Sequence, residues 1–576
     1  MRLLINLFYD KRLLPMTHLF KQRLQLLVVV LLTITAYANI FQNQFVWDDQ
    51  FFIQDWSAIR SWESLPEMLQ GQLPPRFLGA FRPGLSVSYL LLYQLFGQNS
   101  WDWHLQALVV HLICTVLVFL IVEQLVLKFK LNLKLLPFLT ALFFGVHPIH
   151  TEAVTYIASS INTIGIAFFL AAFYLYLRKK SLLSLVFAGL AFFTYELTLT
   201  LPVLVIFTDL LVLKISPSKI ISLLRKKLLI YGGLIALVLI YLLARVVSIQ
   251  TIGRGDYPLD SFYLTMLTMA KVLLKYLQLL VLPVNQSINH VLPGGIVSGY
   301  YLDLKTEAIA AQHFLSIYTV SAVVILGLLF ILAFRLRRKY PIITFSIGWL
   351  LLSLLPASNL MPVQEFMAER YLYIPSVGFC LLLAYLILNL NFVVSKQPSK
   401  TFNERLKIIA VLLLATSYLV LTFLRNTVWY DALSLWLDTA KKTPQSEIAY
   451  YNLGNAYLRK NQKELAVNSY LQAIKNKPKS MGSYINLGNT YMSLGRLELA
   501  KNAYTNALAI DPNSPTNYNN LGVVLTQQGH FQEALENFLK ALRLDPSHLN
   551  AKQNMEILLE QHSKLNIEQT LKNLNQ

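Results

Sequence analysis

An adjacent pair of carboxylic acids, Asp48 and Asp49, lies in a strongly aromatic stretch of this sequence, Phe45 to Phe52. Neighbouring carboxylates repel one another, and apolar surroundings desolvate them, so the pKa of at least one is expected to rise. A carboxylate with a raised pKa is suited to act as a general base. We therefore predict a catalytic role for Asp48 and Asp49, against the alternative of an ordinary acidic loop.

A second polar group, His147-Pro148-Ile149-His150-Thr151-Glu152, combines two imidazoles and a carboxylate. Its spacing differs from the helical His-Glu-x-x-His arrangement of zinc sites, because a proline and a three-residue gap interrupt it. We expect these groups to line a polar cavity rather than to bind zinc. Glu196, between two hydrophobic hairpin arms, is a further buried acid that is either functional or paired with a structural partner such as Arg245.

Two arginines are candidates for binding a phosphate group. Arg370 follows Glu369 at the start of an apolar run, and Arg82 lies in Phe81-Arg82-Pro83. The guanidinium presents a planar fork of donors that matches phosphate oxygens. Glu369 is expected either to orient Arg370 or to pair with a neighbouring residue.

The composition indicates which elements must position these groups. Of 576 residues, 55% are hydrophobic and only 14% are charged, whereas soluble proteins contain about 45–50% apolar and about 25% charged residues. This balance excludes a single soluble domain, a disordered chain and a disulfide scaffold. The two cysteines, Cys114 and Cys380, lie in apolar runs far from any His/Cys cluster, so neither a zinc site nor a disulfide framework is expected.

Eleven apolar stretches are candidate membrane spans. A span needs about 20 mostly apolar residues, and fewer where neighbouring protein shelters it. The candidates lie at about 24–40, 105–126, 135–147, 161–177, 182–195, 198–214, 228–248, 315–334, 341–356, 371–391 and 405–424. Lys11, Arg12, Lys21 and Arg23 precede the first stretch and no small-residue cleavage site follows it, so we expect a retained anchor with a cytoplasmic amino terminus.

The net charge is +19, and the basic residues that produce it are distributed as this topology predicts. Basic residues cluster in alternate loops, near 128–134, 178–180, 214–227, 335–339 and 396–407, which the positive-inside rule places in the cytoplasm. A nucleic-acid role is disfavoured, because the charge follows the loops and no reader motif is present. The run 262–282 is assigned to a re-entrant or interfacial helix, because counting it as a span would place Arg335 to Lys339 outside. The loops that hold the acids, histidines and arginines are then extracytoplasmic, as is everything after about residue 425.

A 34-residue period begins near residue 447. The triplet Asn452-Leu453-Gly454 recurs at 486–488 and at 520–522, and Pro478, Pro512 and Pro546 keep the same spacing. This period predicts three tetratricopeptide repeats over 447–548, each formed by two helices. A coupling helix or partial repeat at 429–446 and a capping helix and tail at 549–576 are expected to flank them.

One asparagine recurs in each repeat, at Asn452, Asn486 and Asn520. Such a ladder could bind the backbone of an acceptor peptide, because an amide side chain both donates and accepts hydrogen bonds. The pattern is similar to the asparagine ladder of the nucleocytoplasmic O-GlcNAc transferase. The alternative is that these are polar residues on helix surfaces.

Together these motifs resemble the transmembrane O-mannosyltransferases that carry tetratricopeptide repeats, and more broadly the C-type glycosyltransferases. The resemblance rests on Trp47-Asp48-Asp49, Phe81-Arg82-Pro83, His147 to Val154, Leu355 to Asn359, Ala368 to Tyr373 and the repeat array, in the family's order over nearly the whole chain. It implies an all-α fold, in which a polytopic membrane bundle of about 11 spans (residues 1–428) precedes an extracytoplasmic repeat solenoid.

The resemblance also implies an activity, the transfer of mannose or another hexose from a polyprenyl phosphate to Ser/Thr hydroxyls of a protein. Asp48 would be the base, Asp49 would assist it or bind the acceptor, and Arg370 would hold the lipid phosphate. The remaining donor-site residues implied are Glu369, Tyr371, Arg82, His147, His150, Glu152 and Glu196. No metal is required, although Asp48 and Asp49 would be the ligands if a divalent ion were used. Where the family commonly has a lysine before the glutamate, this chain has Tyr195, a departure at the donor contacts.

Two other functions compete with this one. A non-enzymatic membrane scaffold could recruit envelope proteins through the repeats, but the acid pair, the arginine and the histidines favour an enzyme. A transporter is disfavoured, because the sequence shows no internal duplication with broken helices. The short array and the lack of a transit peptide favour a bacterial inner membrane as the location.

Overall fold

The computed structural model describes residues 18–71, 80–212, 225, 227–250, 257, 261–292, 296–298, 316–363, 365–390 and 400–562. The chain divides into two compact units, Met1–Asp431 and Ala432–Gln576. Some predicted features lie outside the described residues. They are the cytoplasmic residues Lys11 and Arg12, most of the basic loop 214–227, residues 396–399 of another basic loop and the tail beyond residue 562.

Helices build the first unit. Those of ten or more described residues are α1 (His18–Ala36), α2 (Pro83–Phe96), α3 (Ser100–Lys128), α4 (Leu136–Gly145), α5 (Ile157–Leu177), α6 (Ser181–Thr194), α7 (Leu201–Val212), α8 (Leu228–Ile249), α9 (Phe262–Val281), α10 (Ile317–Leu336), α11 (Pro341–Ser353), α12 (Pro375–Asn389) and α13 (Lys400–Val428). Each of the eleven predicted spans overlaps one of them. Among the described helices, α1, α3, α5, α8, α9, α10 and α13 are long and apolar enough to cross a membrane, and α4, α6, α11 and α12 are shorter apolar helices. The first unit is that of an integral membrane protein.

Two sets of helix ends can be told apart in this unit. Basic residues lie at the ends of α3 and α5 and between α10 and α11, at Lys128, at 178–180 and at 335–339. The predicted acids, histidines and arginines lie at the opposite ends, including the end of α4 and the start of α5. We call the latter the site end of the bundle.

Helix α9 contacts the site end at several points along its length. The amide of Asn359 lies 3.4 Å from the sulfur of Met269, and the hydroxyl of Tyr276 donates to the carbonyl of Ala368 at 3.3 Å. Near its carboxyl end, Leu280 presents its carbonyl to Nε2 of His147 at 3.2 Å. These contacts are those expected of a helix that lies across the site end. Helix α9 is also long and apolar enough to span a membrane. Its assignment as a re-entrant or interfacial helix therefore stays a prediction.

A fully buried amide, Asn426 in α13, joins three elements at the site end. Its Nδ2 donates to the carbonyl of Ala36 at 3.0 Å and to Oδ1 of Asn39 at 3.1 Å, after the end of α1. Its Oδ1 accepts the hydroxyl of Thr155 at 2.7 Å, from the residues that precede α5. The start of α5 is thereby held beside the ends of α1 and α13. The bond from Thr155 to Asn426 places the next residue, Tyr156, near Trp429.

The described residues include one pair of short strands, which does not alter the predicted all-α class. β1 (Val291–Leu292) pairs antiparallel with β2 (Ile296–Val297), with Val291 opposite Val297. The hydroxyl of Ser298 accepts the backbone N–H of His290 at 2.7 Å, which closes this hairpin below the site.

The second unit is a stack of helix pairs. Its helices are α14 (Ala432–Lys442), α15 (Glu447–Arg459), α16 (Lys463–Asn476), α17 (Met481–Ser493), α18 (Leu497–Ile510), α19 (Pro515–Gln527), α20 (Phe531–Leu544) and α21 (Leu549–Gln561). A Cβ added at Gly454 or Gly488 would lie 2.5 or 2.7 Å from the ring of Tyr470 or Tyr504, so only glycine allows the two helices of a repeat to approach this closely. This packing confirms the predicted repeat architecture.

Candidate active site

The segment from His147 to Asn162 carries or contacts most of the predicted site residues, and we call it the central segment. It leaves α4, forms two short helical turns at Pro148–His150 and Thr151–Val154, and enters α5 at Ile157. The imidazole of His147 accepts the backbone N–H of Ile149 at 3.2 Å, which fixes the first turn. Residues from several other regions of the chain converge on this segment.

Both predicted catalytic acids are buried and bound to the central segment. Asp49 accepts the backbone N–H of Ala158 at 2.7 Å and that of Val46 at 3.1 Å, so its carboxylate caps the start of α5. Asp48 Oδ2 accepts the hydroxyl of Tyr156 at 3.1 Å. Burial raises the pKa of Asp49 well above its usual range; its backbone hydrogen bonds oppose this and the charge of Asp48 adds to it.

The backbone between these acids and the preceding loop is strained. Trp47 has φ +51°, a left-handed conformation that bulky residues rarely adopt. Such strain persists only where surrounding contacts over-determine it, and it is enriched at functional sites. Here the ring of Trp47 stacks on that of Tyr156, with centroids 5.4 Å apart.

Arg370 forms the centre of a second cluster, with carboxylates on two sides. Its guanidinium contacts Glu152 of the central segment and Glu365, and its backbone N–H donates to Glu152 Oε2 at 3.2 Å. The hydroxyl of Tyr371 also donates to Glu365, at 3.1 Å, and the Arg370 guanidinium lies 5.3 Å from the Tyr371 ring centroid. The predicted phosphate-binding arginine is therefore preorganised, but its donors are engaged by protein carboxylates.

The pKa of Glu152 is raised towards neutrality. Burial raises its pKa to about 7, because the positive charge of Arg370 only partly offsets desolvation and because Glu369 and Glu365 add repulsion. Glu152 and Glu365 share the one positive charge of Arg370, and a proton on Glu152 would relieve its repulsion by Glu365 and Glu369.

Glu369 faces away from Arg370 and holds the hairpin region. It accepts the backbone N–H of Ser287 at 2.7 Å and the amide of Gln286 at 3.1 Å, and its Oε1 lies 3.0 Å from Nε2 of His290. Burial alone would raise the pKa of Glu369, but the hydrogen bond and charge of His290 lower it below its usual range. Of the two predicted roles, pairing with a neighbour is the one observed.

Arg82 and Glu196 pair with each other. Nε and Nη2 of Arg82 donate to the two carboxylate oxygens at 2.5 and 2.7 Å, and Nη1 donates to Asn162 of the central segment at 3.1 Å. Arg82 is thus a partner of Glu196, whereas the sequence had suggested Arg245 as the example of such a partner. The guanidinium also lies 5.1 Å from the centroid of the Tyr195 ring, so Tyr195 contacts this pair.

The two histidines of the central segment are fully buried behind these clusters. Nε2 of His150 lies 2.8 Å from the hydroxyl of Ser376, and its ring packs 4.6 Å from that of Tyr373. Burial lowers the pKa of His150 well below its usual range, so the ring is neutral. Within the described ranges, no group of three or more His, Cys, Asp or Glu side chains is arranged to hold a metal ion.

An apolar groove opens beside the Arg370 cluster. It has a volume of about 350 Å³ and is lined by α9, α10, α11 and the turn after α11, including Met269, Tyr276 and Leu355. Tyr276 joins the groove to the cluster, because its hydroxyl contacts both the carbonyl and the N–H of Ala368, at 3.3 and 3.2 Å.

The three ladder asparagines of the array are half-buried and differ in their contacts. Asn452 donates to the carbonyl of Ile448 at 2.9 Å within its own helix. Asn486 donates to Oδ1 of Asn455 in the preceding repeat at 2.8 Å, and Asn520 accepts from Asn519 at 3.3 Å. The middle member therefore links two repeats.

Comparisons with known proteins identify the repeats and the relatives of the chain. Residues 454–495 and 488–529 match the family described as TPR repeat, and residues 517–548 match Tetratricopeptide repeat. Protein O-mannosyl-transferase F38B6.6 of Caenorhabditis elegans is 25% identical over 74% of this chain and 59% of its own length. Protein O-mannosyl-transferase TMTC3 of Homo sapiens is 24% identical over 77% of this chain and 50% of its own length. The chain is a relative of the protein O-mannosyl-transferases.

The chain spans about half the length of these curated relatives. Among solved structures, the Arabidopsis OM64 TPR domain is 27% identical over 20% of this chain and 94% of its own, with a TM-score of 0.19. MamA from Desulfovibrio magneticus is 17% identical over 25% of this chain and 80% of its own, with a TM-score of 0.22.

Several residues of the site were missed from the sequence. Tyr156 contacts the predicted residue Asp48, and Glu365 contacts Arg370. Asn162 contacts Arg82, and His290 contacts Glu369. Tyr156 and Glu365 lie four and five residues from predicted positions, so nearness in sequence was an available signal. His290 gave none, because the fold alone brings it to Glu369.

Proposed function

We propose that this protein transfers a hexose, mannose in the first instance, from a polyprenyl phosphate to Ser/Thr hydroxyls of a protein acceptor. The observation that carries the proposal is that one segment binds both the acid pair, through Tyr156 and Ala158, and Arg370, through Glu152. A base and a phosphate-binding group held by one rigid segment can act on opposite sides of a sugar carbon. The names of the relatives support the choice of sugar and acceptor.

The chemistry assigned to these residues is a displacement at the anomeric carbon. Asp48 takes the proton of the acceptor hydroxyl as its oxygen forms a bond to that carbon. The bond from carbon to the phosphate oxygen breaks, and the polyprenyl phosphate leaves with the electron pair. Arg370 stabilises the charge that develops on that phosphate. Asp49, which caps α5, fixes the position of the acid pair.

The lipid carrier is supported by the groove beside Arg370. An isoprenoid chain is apolar and flexible, and the groove lining is almost entirely apolar. Because Tyr276 bonds to Ala368, a chain in the groove would bring its phosphate towards Arg370, two residues further on. We propose that the groove takes the isoprenoid units nearest the phosphate.

The donor phosphate must exchange with a carboxylate that already contacts Arg370. Glu152 also binds the backbone N–H of Arg370, which anchors it, whereas Glu365 is held by Arg370 and Tyr371 side chains. We propose that Glu365 is the group that moves. A sugar phosphodiester carries one negative charge, as a carboxylate does, so the exchange keeps the local charge constant.

The histidines are assigned a supporting role. His147 and His150 have no exposed surface, and their contacts run to Ile149, Leu280 and Ser376. We propose that they hold the turn that carries Glu152, and that Arg82 and Glu196 brace the other side of the pocket through Asn162. The asparagines of the array would present the acceptor polypeptide.

The proposed side of the membrane rests on the distribution of basic residues. The basic residues that the structure describes, near Lys128, 178–180 and 335–339, lie at the helix ends opposite the site, which supports a cytoplasmic basic end and an extracytoplasmic site. A bacterial inner membrane is the proposed location.

Mass spectrometry of envelope and secreted proteins tests this function. Cells that carry the wild-type protein are expected to show hexose increments on Ser/Thr peptides, and cells with Asp48→Asn at an equal membrane level are expected to lack them. Asp55→Asn, an exposed carboxylate in the same loop, is the matched control and should keep the increments. If Asp48→Asn leaves glycosylation unchanged while deletion of the array lowers the abundance of a partner, the protein is a scaffold.

A further inference from the structure

Tyr156 is the middle ring of a three-ring stack, in which Tyr156 and Trp429 are buried and Trp47 is half-buried. Its ring lies 5.4 Å from that of Trp47, at an interplanar angle of 18°, and 5.3 Å from that of Trp429, at 16°. Tyr156 is 3% exposed, and Trp429 is 1% exposed. At the polar edge of the stack, the hydroxyl of Tyr156 donates to Oδ2 of Asp48 at 3.1 Å.

The stack leaves Tyr156 little freedom of orientation. A tyrosine side chain has two rotatable bonds, and packing on both ring faces restricts each of them. The three rings come from different parts of the chain: the loop after α1, the residue before α5 and the residue after α13. Asn426, which binds both Thr155 and the end of α1, fixes the spacing between these elements.

The strained backbone of Trp47 belongs to the same arrangement. Its positive φ allows the indole to stack on Tyr156 while the next residue, Asp48, reaches the hydroxyl of that same tyrosine. Strain of this kind persists where surrounding contacts fix the conformation, and it is enriched at functional sites.

We propose that Tyr156 is a positioning residue that holds the Asp48 carboxylate in its reactive orientation, an inference that rests on the proposed function of Asp48 as the base. A carboxylate on an unsupported side chain samples many orientations, and proton transfer needs alignment with the acceptor hydroxyl. Tyr156 acts through Asp48 and does not itself contact the sugar or the phosphate.

Steady-state kinetics with polyprenyl-phosphate mannose and a Ser/Thr-containing acceptor protein test the proposal on purified full-length protein. Tyr156→Phe keeps the stacked ring and removes one hydroxyl. We expect kcat to fall about 10- to 100-fold, as for loss of a hydrogen bond to a charged group, with the KM of donor and acceptor unchanged. Trp429→Phe keeps the hydroxyl of Tyr156 but replaces one indole of the stack with a smaller ring. It should lower kcat by a smaller factor.

Tyr231→Phe is the matched control. Tyr231 is also buried and donates its hydroxyl to an aspartate, Asp209, near the basic end of the same unit. The Tyr231→Phe variant should leave kcat and the KM values of donor and acceptor unchanged. An unchanged kcat in Tyr156→Phe, or equal losses in both tyrosine variants, would overturn the positioning role while leaving the transferase function in place. Failure of the wild-type protein to transfer mannose would overturn both.

Discussion

Asp49 closes the start of α5 by accepting the backbone N–H of Ala158 at 2.7 Å. The adjacent acid is bound instead by a side chain, the hydroxyl of Tyr156. The two members of the acid pair therefore have different contacts: one satisfies the backbone of the central segment, and the other is oriented by its aromatic residue. This difference separates their expected phenotypes.

Asp49→Ala should destabilise the first unit. The variant leaves the N–H groups of Val46 and Ala158 without their acceptor, which costs about 1–3 kcal/mol of unfolding free energy. Thermal unfolding of the purified protein should show a lower Tm for Asp49→Ala. Asp48→Asn should change the Tm far less, because the introduced amide retains an oxygen that accepts from Tyr156. Equal losses in the two variants would contradict this division of roles.

Arg82 and Glu196 should behave as a structural pair. Removing one member of a fully buried pair leaves an uncompensated charge, which costs about 3–5 kcal/mol, and the cost is smaller here because the two side chains are 15% and 16% exposed. We expect Arg82→Met and Glu196→Gln each to lower the Tm strongly, and the double variant to recover much of the loss. A double-mutant cycle in thermal unfolding measures this coupling. Additive losses would show that the two side chains act independently.

Much of this architecture could be read from the sequence, because its causes are local. Apolar runs and the 34-residue period specify helices through residues near one another in the chain, and the eleven predicted spans each overlap a helix. The partners of the site residues were less accessible. Arg82 meets Glu196 across 114 positions and Arg370 meets Glu152 across 218, and no periodicity encodes such pairings.

In the repeat array, too, the sequence pattern predicts positions but not the contacts between them. The spacing of Asn452, Asn486 and Asn520 is visible in the sequence, but the bond from Asn486 to Asn455 depends on how successive repeats stack. A shared sequence position therefore does not guarantee shared contacts.

Asn486→Ala should affect the stability of the array more than Asn452→Ala does. Asn486 links two repeats, and its partner Asn455 also accepts the hydroxyl of Tyr470 at 2.6 Å, whereas the hydrogen bond of Asn452 to Ile448 lies within its own helix. We expect a loss of about 1 kcal/mol for Asn486→Ala, measured on the whole protein from the urea dependence of hydrogen–deuterium exchange in peptides of the array. Equal effects of the two alanine variants would contradict the linking role.

Glu365→Gln should strengthen binding of the donor. The variant removes a negative charge that competes with phosphate for the guanidinium of Arg370, while Tyr371 can still bond to the amide oxygen. We expect the Kd for a polyprenyl phosphate sugar to fall about tenfold, measured by microscale thermophoresis. Glu63→Gln, at an exposed position, is the control and should leave the Kd unchanged. Weaker binding in Glu365→Gln would show that Glu365 supports the donor site instead of occupying it.

Donor affinity should also depend on pH through Glu152. Burial raises the pKa of Glu152 to about 7, so the group is charged above that pH and neutral below it. The charged form competes for Arg370 and repels a phosphodiester, whereas the donor itself does not titrate near neutrality. The Kd for the donor should therefore fall as the pH is lowered from about 8 to about 6, by about threefold to tenfold for a single proton. In Glu152→Gln the Kd should stay flat over the same range. A wild-type Kd that rises on acidification, or an equal slope in the variant, would assign the pH dependence to another group.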